Sequence, residues 1–429
     1  MNILFLSWWG AAVPLAMHCE DYGHDILFFI DDESSKKVGD GFVPKSDDYK
    51  KSVDWADLVI CDSTHFGKVN DALRKKGKPV IGGSEMTDAL EEDRGAGQKL
   101  FKACGLDVLE SKEFKTFAEA ISYVQENPKQ YVVKVSGAAQ DDKSTTYVGQ
   151  TEDGSDIIPV LEHMENKVVK KLEGIEIQEC KQGVEVAISG FFNGKEFVGD
   201  CFVNFEHKKV MSWNTQQGIG PNTGEMGCAA YWMPQEIGLF QKILKPLIKP
   251  LKEMGYYGAF DVNCIVAEGK VYPLEMTSRF GWPTLPLMIE TLQGNDLASF
   301  FMALASGESV RLDPSDPVSL YVMVGAPPLP YINKEIYEKY TKDMPIILRD
   351  GWKDGIYPGE VKIEDDEWIA AGSEGCLVIC AAGGESIEEC QESAYALADS
   401  VIIPNKMVRD DIGRTTEESM EKLEEMGLV

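Results

Sequence analysis

Apolar runs recur at short intervals near the start of the chain, and each ends in small or polar residues. The runs lie in NILFLSWWG, DILFFI, ADLVICDS and KPVIGGS, and a helical pattern, AAVPLAMHCED, follows the first of them. Strands that alternate with helices in this way form parallel α/β domains. We therefore predict an N-terminal parallel α/β domain over residues 1–90, with candidate ligand contacts at the carboxyl ends of its strands.

The later part of the chain mixes helical and strand patterns. Helices are predicted in EEDRGAGQKLFKACGLDV, where Gly105 ends the helix, in DIIPVLEHMENKV and in PQEIGLFQKILKPLIKPLKEMG. The segment AFDVNCIVAEGKVYPLEM predicts a β-hairpin that turns at Glu268 and Gly269. After about residue 315 the chain is again rich in strand patterns, and it ends in a charged helix, TTEESMEKLEEMG.

Acidic residues outnumber basic ones by 71 to 42, which gives a formal net charge of −29. Such a chain repels polyanions, so we expect no nucleic-acid partner and no membrane partner. The ten cysteines form no C-x-x-C pair and the five histidines are dispersed, which favours reduced thiols, a cytoplasmic location and no zinc site. We expect small-molecule substrates instead, bound by a monomer or a homodimer.

The predicted hairpin carries two carboxylates in a mostly apolar setting. Asp261 lies on its first strand and Glu275 on its second, so strand alternation can aim both at one face. Two neighbouring carboxylates repel each other and need a cation, and hard oxygen ligands suit Mg²⁺. The alternative is a pair of solvated carboxylates at the edge of a sheet.

The segment GIGPNTGEMG, residues 218–227, is unusually rich in glycine. Because glycine loses more backbone entropy on folding than other residues, a cluster of glycines needs a structural reason. One interpretation is a surface turn, since Pro-Asn and Thr-Gly are common in turns. The other is a stretch of backbone that lies against a small ligand.

The order of these segments resembles the ATP-grasp ligases, and among them the glycinamide ribonucleotide synthetases (phosphoribosylamine–glycine ligases). GPNTGEMG resembles that family's GPNTGGMG, EHKK resembles its DHKR, LEMTSRFGWPT resembles its IEFNCRFGDPE, and VRDDIG resembles its RKDIG. The resemblance implies an α/β and α+β multidomain protein with the ATP-grasp fold. The N-terminal domain would span residues 1–90, the ATP-grasp domain residues 91–312, and a small C-terminal β-rich domain with a terminal helix residues 313–429.

The resemblance also implies a set of site residues. ATP would be bound by seven residues: Lys134, Lys143, Gln178, Glu179, Cys180, Glu185 and Lys208. Asp261 and Glu275 would hold Mg²⁺ or Mn²⁺, and Arg279 would neutralise an acyl phosphate. A small amino acid would be enclosed by Gly220, Asn222, Thr223 and Gly224.

The activity that the resemblance implies is ATP-dependent coupling of an amino-acid carboxylate, expected to be that of glycine, to an amine. The amine of the family is phosphoribosylamine, but the family's GGREHAL turn reads WWGAAVPLA here and lacks its arginine and histidine. Thr277 also replaces a metal-binding asparagine, for which Asp261 or Asn263 could compensate. Two alternatives therefore stay open: an amine that has no phosphate and stacks on Trp8 or Trp9, and a non-catalytic nucleotide sensor.

Overall fold

The computed structural model describes residues 1–136, 146–167, 174–213, 218–282, 284–349 and 351–429. All ten cysteines lie in these ranges and are free thiols, as the sequence predicts. Within the same ranges, no helix is both long enough and apolar enough to cross a membrane.

The chain begins with a sheet of four parallel strands in the order β2-β1-β3-β4. Its elements are β1 (Asn2–Ser7), α1 (Val13–Asp21), β2 (Asp25–Ile30), α2 (Tyr49–Ser52), β3 (Leu58–Cys61), α3 (Gly67–Lys75), β4 (Val80–Ile81) and α4 (Glu85–Glu92). The predicted strand, glycine turn, helix and strand are confirmed, and Gly10 makes the turn at a φ of 104°. The carboxyl ends of the strands therefore meet at one edge, as predicted.

A second sheet of four antiparallel strands follows, in the order β5-β8-β6-β7. Its elements, together with the helix that precedes them, are α5 (Arg94–Ala103), β5 (Ser111–Phe114), α6 (Phe117–Glu126), β6 (Tyr131–Ser136), β7 (Tyr147–Val148), α7 (Ile157–Lys167) and β8 (Gly174–Glu179). Helices α6 and α7 cover one face of this sheet and enclose a small apolar core of their own. The predicted helix that Gly105 ends is α5, and Gly105 has a φ of 81°.

The largest sheet has eight antiparallel strands in the order β15-β14-β9-β10-β13-β16-β21-β18. The strands before residue 312 and the helices beside them are β9 (Val184–Phe192), β10 (Phe197–Glu206), β11 (Lys209–Met211), β12 (Ile219–Asn222), β13 (Gly227–Met233), α8 (Gly238–Lys242), α9 (Ile248–Glu253), β14 (Gly258–Ala267), β15 (Lys270–Thr277), α10 (Leu285–Thr291) and α11 (Leu297–Ala305). Strands β11 and β12 form a separate small ribbon.

The remaining elements complete the same sheet and add a small one of four strands, in the order β19-β20-β17-β22. They are β16 (Val318–Gly325), α12 (Lys334–Tyr340), β17 (Pro345–Leu348), β18 (Ile356–Pro358), β19 (Val361–Glu364), β20 (Glu367–Ala370), β21 (Cys376–Gly384), α13 (Ile387–Ser400), β22 (Val401–Ile402) and α14 (Thr416–Glu425). Because β13 pairs with β16, the large sheet continues across residue 312. The bounds of the three predicted domains stay predictions.

The helix predicted over PQEIGLFQKILKPLIKPLKEMG is wrong as one continuous element. The structure divides it into α8, a 3₁₀ turn at Lys245–Leu247 and α9. Pro246 and Pro250 cause the division because proline has no N–H to donate and its ring crowds the preceding turn of a helix.

The two faces of the large sheet have different partners. Helix α13 packs on one face, against β16 and β21. Helices α10 and α11 and the N-terminal sheet share a core with the other face, which carries Phe202, Cys228 and Tyr321. The latter face is called the site face below, because its polar end carries most of the candidate site.

Candidate active site

The β14–β15 hairpin is formed as predicted and places four oxygen-bearing side chains together. Its turn residues, Glu268 and Gly269, have φ values of 55° and 75°, which suit a tight two-residue hairpin turn. Residues directly opposite each other in an antiparallel pair project to the same side. The opposed pairs are Asp261 with Thr277 and Asn263 with Glu275, so all four side chains lie on the site face.

The two predicted metal ligands lie in a strongly acidic environment. Asp261 is buried, and burial first, then the neighbouring Glu206, raises its pKa well above the usual range; Glu275 acts in the same direction. A cation at this point would relieve that repulsion. In the described part of the chain, no three His, Cys, Asp or Glu side chains are placed to hold a metal ion by themselves. Two carboxylates that share a cation with phosphate oxygens are nevertheless the usual arrangement for Mg²⁺.

Lys208 neutralises two carboxylates on the adjacent strands. Its Nζ lies 3.0 Å from Glu185 Oε1 on β9 and 3.1 Å from Glu206 Oε2 on β10. Burial alone would lower the pKa of Lys208, but these two carboxylates hold it well above the usual range. Lys208 therefore carries a positive charge in the site.

Lys134 brings a second half-buried lysine from the facing sheet. It lies on β6, and its Nζ donates a hydrogen bond to Gln178 Oε1 on β8 at 2.9 Å. Burial, the largest cause, lowers the pKa of Lys134. The charge of Arg94 also lowers this pKa, whereas the charge of Glu275 raises it. Arg94 Nη2 itself lies 3.4 Å from Glu275 Oε2. The two sheets thus bring cations and carboxylates together, whereas Lys143 lies outside the described residues.

The segment that joins the two sheets begins at the end of β8. Gln178 is buried, while Glu179 pairs with Lys181 at 3.3 Å. The amide N–H groups of Glu179 and Cys180 donate to backbone carbonyls, those of Glu110 and Gln130. Contacts from Glu179 and Cys180 to a nucleotide base would therefore use other atoms than these two N–H groups.

Arg279 connects the large sheet with the start of the chain. Its Nε lies 2.9 Å from Glu91 Oε1, and the other oxygen of Glu91 accepts hydrogen bonds from the N–H and hydroxyl of Ser278. Burial raises the pKa of Asp62, at the end of β3, and the Arg279 charge is among the groups that lower it. Arg279 thus forms its ion pair with Glu91, on α4.

The glycine-rich segment forms β12 and the loop that leads to β13. Asn222 pairs with Lys209 across the β11–β12 ribbon, and Thr223 donates both its N–H and its hydroxyl to the Lys208 carbonyl. Gly220 needs glycine because its φ is 90°. Gly224 is exposed, and a Cβ built on it would meet no atom within 4 Å. The backbone conformation of the β11–β12 ribbon thus explains why residue 220 is a glycine. Gly224 differs from it, because open space lies beside it.

Aromatic rings line the edge of the N-terminal sheet. Trp8, which is 36% exposed, stacks on His65 at a centroid distance of 4.7 Å. Trp9 meets Trp282, in the segment after β15, edge to face at 4.5 Å. The N-terminal turn and the end of the hairpin therefore face the same region.

Three backbone N–H groups of the N-terminal turn are already used. Ala12 N–H donates to Asp62 Oδ2 at 2.7 Å, and Gly10 N–H donates to Ser7 Oγ at 2.7 Å. Trp8 N–H donates to Ser63 Oγ at 2.9 Å. These contacts occupy donors that an anionic ligand would otherwise receive at a helix start.

The site residues that were not predicted from the sequence include Glu91, Arg94 and Glu225. The signal for Glu91 and Arg94 was only a charged helix start, EEDRG, which gives no partner. The signal for Glu225 was a single charged residue inside a glycine-rich segment. Glu225 is 5% exposed, and burial raises its pKa well above the usual range.

Comparison with known proteins identifies the fold. Residues 95–285 match the family described as phosphoribosylglycinamide synthetase, ATP-grasp (A) domain. The chain is 25% identical over 356 residues to a phosphoribosylamine–glycine ligase from Lactococcus lactis, covering 80% of each chain. It is 25% identical over 413 residues to that of Thermotoga maritima, covering 91% of this chain and 93% of the relative.

Solved structures agree with this assignment of the fold. The crystal structure of phosphoribosylamine–glycine ligase from Thermotoga maritima matches with a TM-score of 0.73 at 20% identity, covering 96% of this chain and 100% of that chain. A biotin carboxylase domain from Hydrogenobacter thermophilus, solved with MgADP, ADP and bicarbonate, matches with a TM-score of 0.63 at 13% identity, covering 99% and 98%. The predicted ATP-grasp fold is confirmed.

Proposed function

We propose, starting from an ATP-grasp domain of the phosphoribosylglycinamide synthetase type at residues 95–285, that this protein is an ADP-forming ligase that joins the carboxylate of glycine to an amine. One observation carries the proposal: cationic Lys134 and Lys208 and the carboxylates of Asp261 and Glu275 meet between two antiparallel sheets. A site of this composition suits a polyphosphate and a divalent cation.

The reaction has two steps. A carboxylate oxygen of the amino acid attacks the γ-phosphorus of ATP, the bond from that phosphorus to the bridging oxygen breaks, and ADP leaves. The amine nitrogen then attacks the carbonyl carbon of the acyl phosphate, the carbon–oxygen bond breaks, and phosphate leaves as the nitrogen loses a proton. Little covalent work falls to the protein, which positions the reactants and neutralises charge.

Lys134 and Lys208 bind the phosphates of ATP from the two facing sheets. Lys208 stays charged because Glu185 and Glu206 hold it, and Glu185 also offers an oxygen to the ribose hydroxyls. Gln178, which positions the Lys134 ammonium, and the two residues that follow it face the adenine. Lys143 is proposed to cover the phosphates on the strength of the sequence resemblance alone.

Asp261 and Glu275 would hold Mg²⁺ or Mn²⁺, which when bound would neutralise negative charge on the phosphates. The fit rests on two mutually repelling carboxylates, buried Asp261 and half-buried Glu275, whose charge a divalent cation balances. Asn263 and Thr277 lie on the same face and supply neutral oxygen atoms beside them. Asn263 thus lies where it can compensate for the threonine.

Arg279 is proposed to stabilise the acyl phosphate, with Glu91 orienting its guanidinium. The amino acid lies beside the loop of Asn222, Thr223 and Gly224, where the exposed glycine leaves room. The hydrogen bonds of Thr223 to the Lys208 carbonyl hold this loop against the phosphate-binding lysine. The carboxylate to be activated and the γ-phosphate are thereby brought to one place.

The amine is proposed to be phosphoribosylamine, because relatives along most of the chain are phosphoribosylamine–glycine ligases. A second candidate is an amine without a phosphate. Specific observations favour it: the turn at Gly10 and Ala12 gives its N–H groups to Ser7 and Asp62, and exposed Trp8 offers an aromatic surface. A phosphate monoester beside the Asp62 carboxylate would be repelled.

The test is ADP release from ATP and glycine, with and without freshly generated phosphoribosylamine. The main proposal expects glycine-dependent ADP release that requires phosphoribosylamine. Equal release with benzylamine in its place would favour the second candidate. ATP binding at equilibrium without ADP release, across a panel of amino acids and amines, would contradict a ligase and favour a nucleotide sensor.

A further inference from the structure

Glu225 is a buried carboxylate whose Oε1 lacks a hydrogen-bond partner among the described residues. The backbone around it is firmly held, because Thr223 N–H donates to the Lys208 carbonyl and Met226 N–H donates to the His207 carbonyl. The buried position of the Glu225 side chain is therefore fixed by the backbone on both sides of it. A buried polar atom without a partner costs free energy, so a native protein that keeps one generally has a use for it.

Within the described ranges, Glu225 has a tyrosine hydroxyl beside it, and the charge of Lys208 acts on it, but it forms no ion pair of its own. Tyr321 lies on β16 opposite Cys228 on β13, and its buried hydroxyl lies beside the Glu225 carboxyl. Burial and the neighbouring carboxylate of Glu206 raise the pKa of the Glu225 carboxyl. The side chains of Tyr321 and Cys228 lower this pKa. The nearest lysine, Lys208, already pairs with two other carboxylates. A positively charged hydrogen-bond donor is what this position lacks.

An entry route for such a donor lies next to Glu225 in the chain. Gly224 is exposed and has open space where a side chain would be, which leaves room for a small molecule beside it. A primary ammonium group carries three donors and no acceptor. It can donate to Glu225 Oε1 and to the Tyr321 hydroxyl oxygen at once, which would satisfy the unpartnered carboxylate oxygen.

We propose that Glu225, assisted by Tyr321, binds the ammonium group of the amino-acid substrate and so determines that the enzyme activates amino acids rather than simple carboxylates. This inference rests on the proposed function for the identity of the reaction. It concerns a residue that replaces a glycine of the family motif GPNTGGMG, so it is a property of this chain. A single carboxylate with a tyrosine hydroxyl suits one ammonium group better than a divalent metal, which prefers more oxygen ligands.

The test is a comparison of Glu225→Gln with Glu236→Gln, an exposed control on the loop after β13. Because a charge-assisted hydrogen bond is lost, we expect Glu225→Gln to raise the KM for glycine by about 10- to 100-fold. The KM for ATP and kcat are expected to stay within about twofold of wild type, since the lysines that bind phosphate are untouched. Glu236→Gln is expected to change none of these values.

A binding measurement separates this inference from the proposed reaction. Calorimetric titration of the wild-type protein with glycine, and with glycolate in which a hydroxyl replaces the ammonium, is expected to show at least about tenfold weaker binding of glycolate. Glu225→Gln is expected to abolish that difference, whether or not ADP is released. Glycine turnover with an unchanged KM in Glu225→Gln would overturn the inference and leave the ligase proposal standing.

Two further outcomes are decisive. If Glu225→Gln does not fold, as judged by its circular dichroism, the wild-type ratio of glycine to glycolate affinity decides, and equal affinities overturn the inference. A wild-type protein that shows no glycine binding at all would also overturn the inference. Glycine binding that depends on Glu225, without ADP release under any condition, would support the inference and contradict the ligase.

Discussion

Replacing Arg409 by methionine is expected to cause a large loss of stability although Arg409 lies far along the chain from the site strands. The side chain is 1% exposed, and its Nε and Nη2 lie 2.5 and 3.2 Å from the two carboxylate oxygens of Asp411. Its Nη1 also donates to the Lys209 carbonyl at 2.9 Å, which ties the C-terminal segment to β11. Asp411, itself 5% exposed, would lose its cation in the variant.

The magnitude follows from the burial of both charges. Breaking a buried pair by removal of one partner costs about 3–5 kcal/mol, because the remaining charge is left uncompensated. Replacing both partners by apolar residues of similar volume is often nearly neutral. The double variant Arg409→Met/Asp411→Leu should therefore recover at least about half of the loss. The Lys209 carbonyl stays unsatisfied in both variants, which limits the recovery.

The assay is equilibrium urea unfolding of the wild-type protein, the single variant and the double variant, with Lys422→Met as a control. Lys422 lies in the terminal helix and forms an exposed pair with Glu418, for which less than about 1 kcal/mol is expected. A loss below about 1 kcal/mol for Arg409→Met would refute the reasoning from buried charge. So would a double variant that is less stable than the single one.

Three further predictions concern the site and its pH dependence. Glu275→Gln is expected to abolish ADP formation while the fold is kept. The control Glu268→Gln, on the exposed turn of the same hairpin, is expected to keep full activity. ADP release measures the activity of both variants, and circular dichroism checks their fold. Lys134→Met is expected to raise the KM for ATP by about 10- to 100-fold through the loss of a charge-assisted bond, with Lys129→Met as an exposed control; equal KM values would contradict its role. Burial, the largest cause, lowers the pKa of His207 to about 4, below the unfolded value of 6.5. The unfolded state therefore binds the proton first, and about 3 kcal/mol of stability that is present above pH 6.5 is lost as the pH falls towards 4. Urea unfolding at pH 7 and pH 5 should show a smaller loss in His207→Gln, and an equal loss would contradict this.

Local features could be predicted from the sequence because neighbouring residues decide them. The β14–β15 hairpin follows from alternating apolar residues and a Glu-Gly turn, and its register places Asp261 and Glu275 on one face. The N-terminal strand, glycine turn and helix follow equally from local pattern. The division of the helix after β13 could also have been predicted, because Pro246 and Pro250 lie inside it.

Features that depend on distant contacts could not be predicted. Nothing in the sequence pattern shows that β13 pairs with β16, a pairing that joins strands on either side of residue 312. The pairs of Arg279 with Glu91 and of Arg94 with Glu275 likewise depend on how α4 and α5 dock on the hairpin. The burial of Glu225 depends on β10, β13 and β16, which carry the residues around it. A charged residue in a loop is ordinarily exposed.

The measurement that tests the central claim most directly is oxygen transfer from the amino-acid carboxylate to phosphate. The protein is incubated with ATP, phosphoribosylamine and glycine labelled with ¹⁸O in its carboxylate, and the inorganic phosphate released is examined by mass spectrometry. Activation through an acyl phosphate predicts one labelled oxygen in each phosphate formed, and no labelled phosphate from Glu275→Gln. Turnover that releases only unlabelled phosphate would contradict the account.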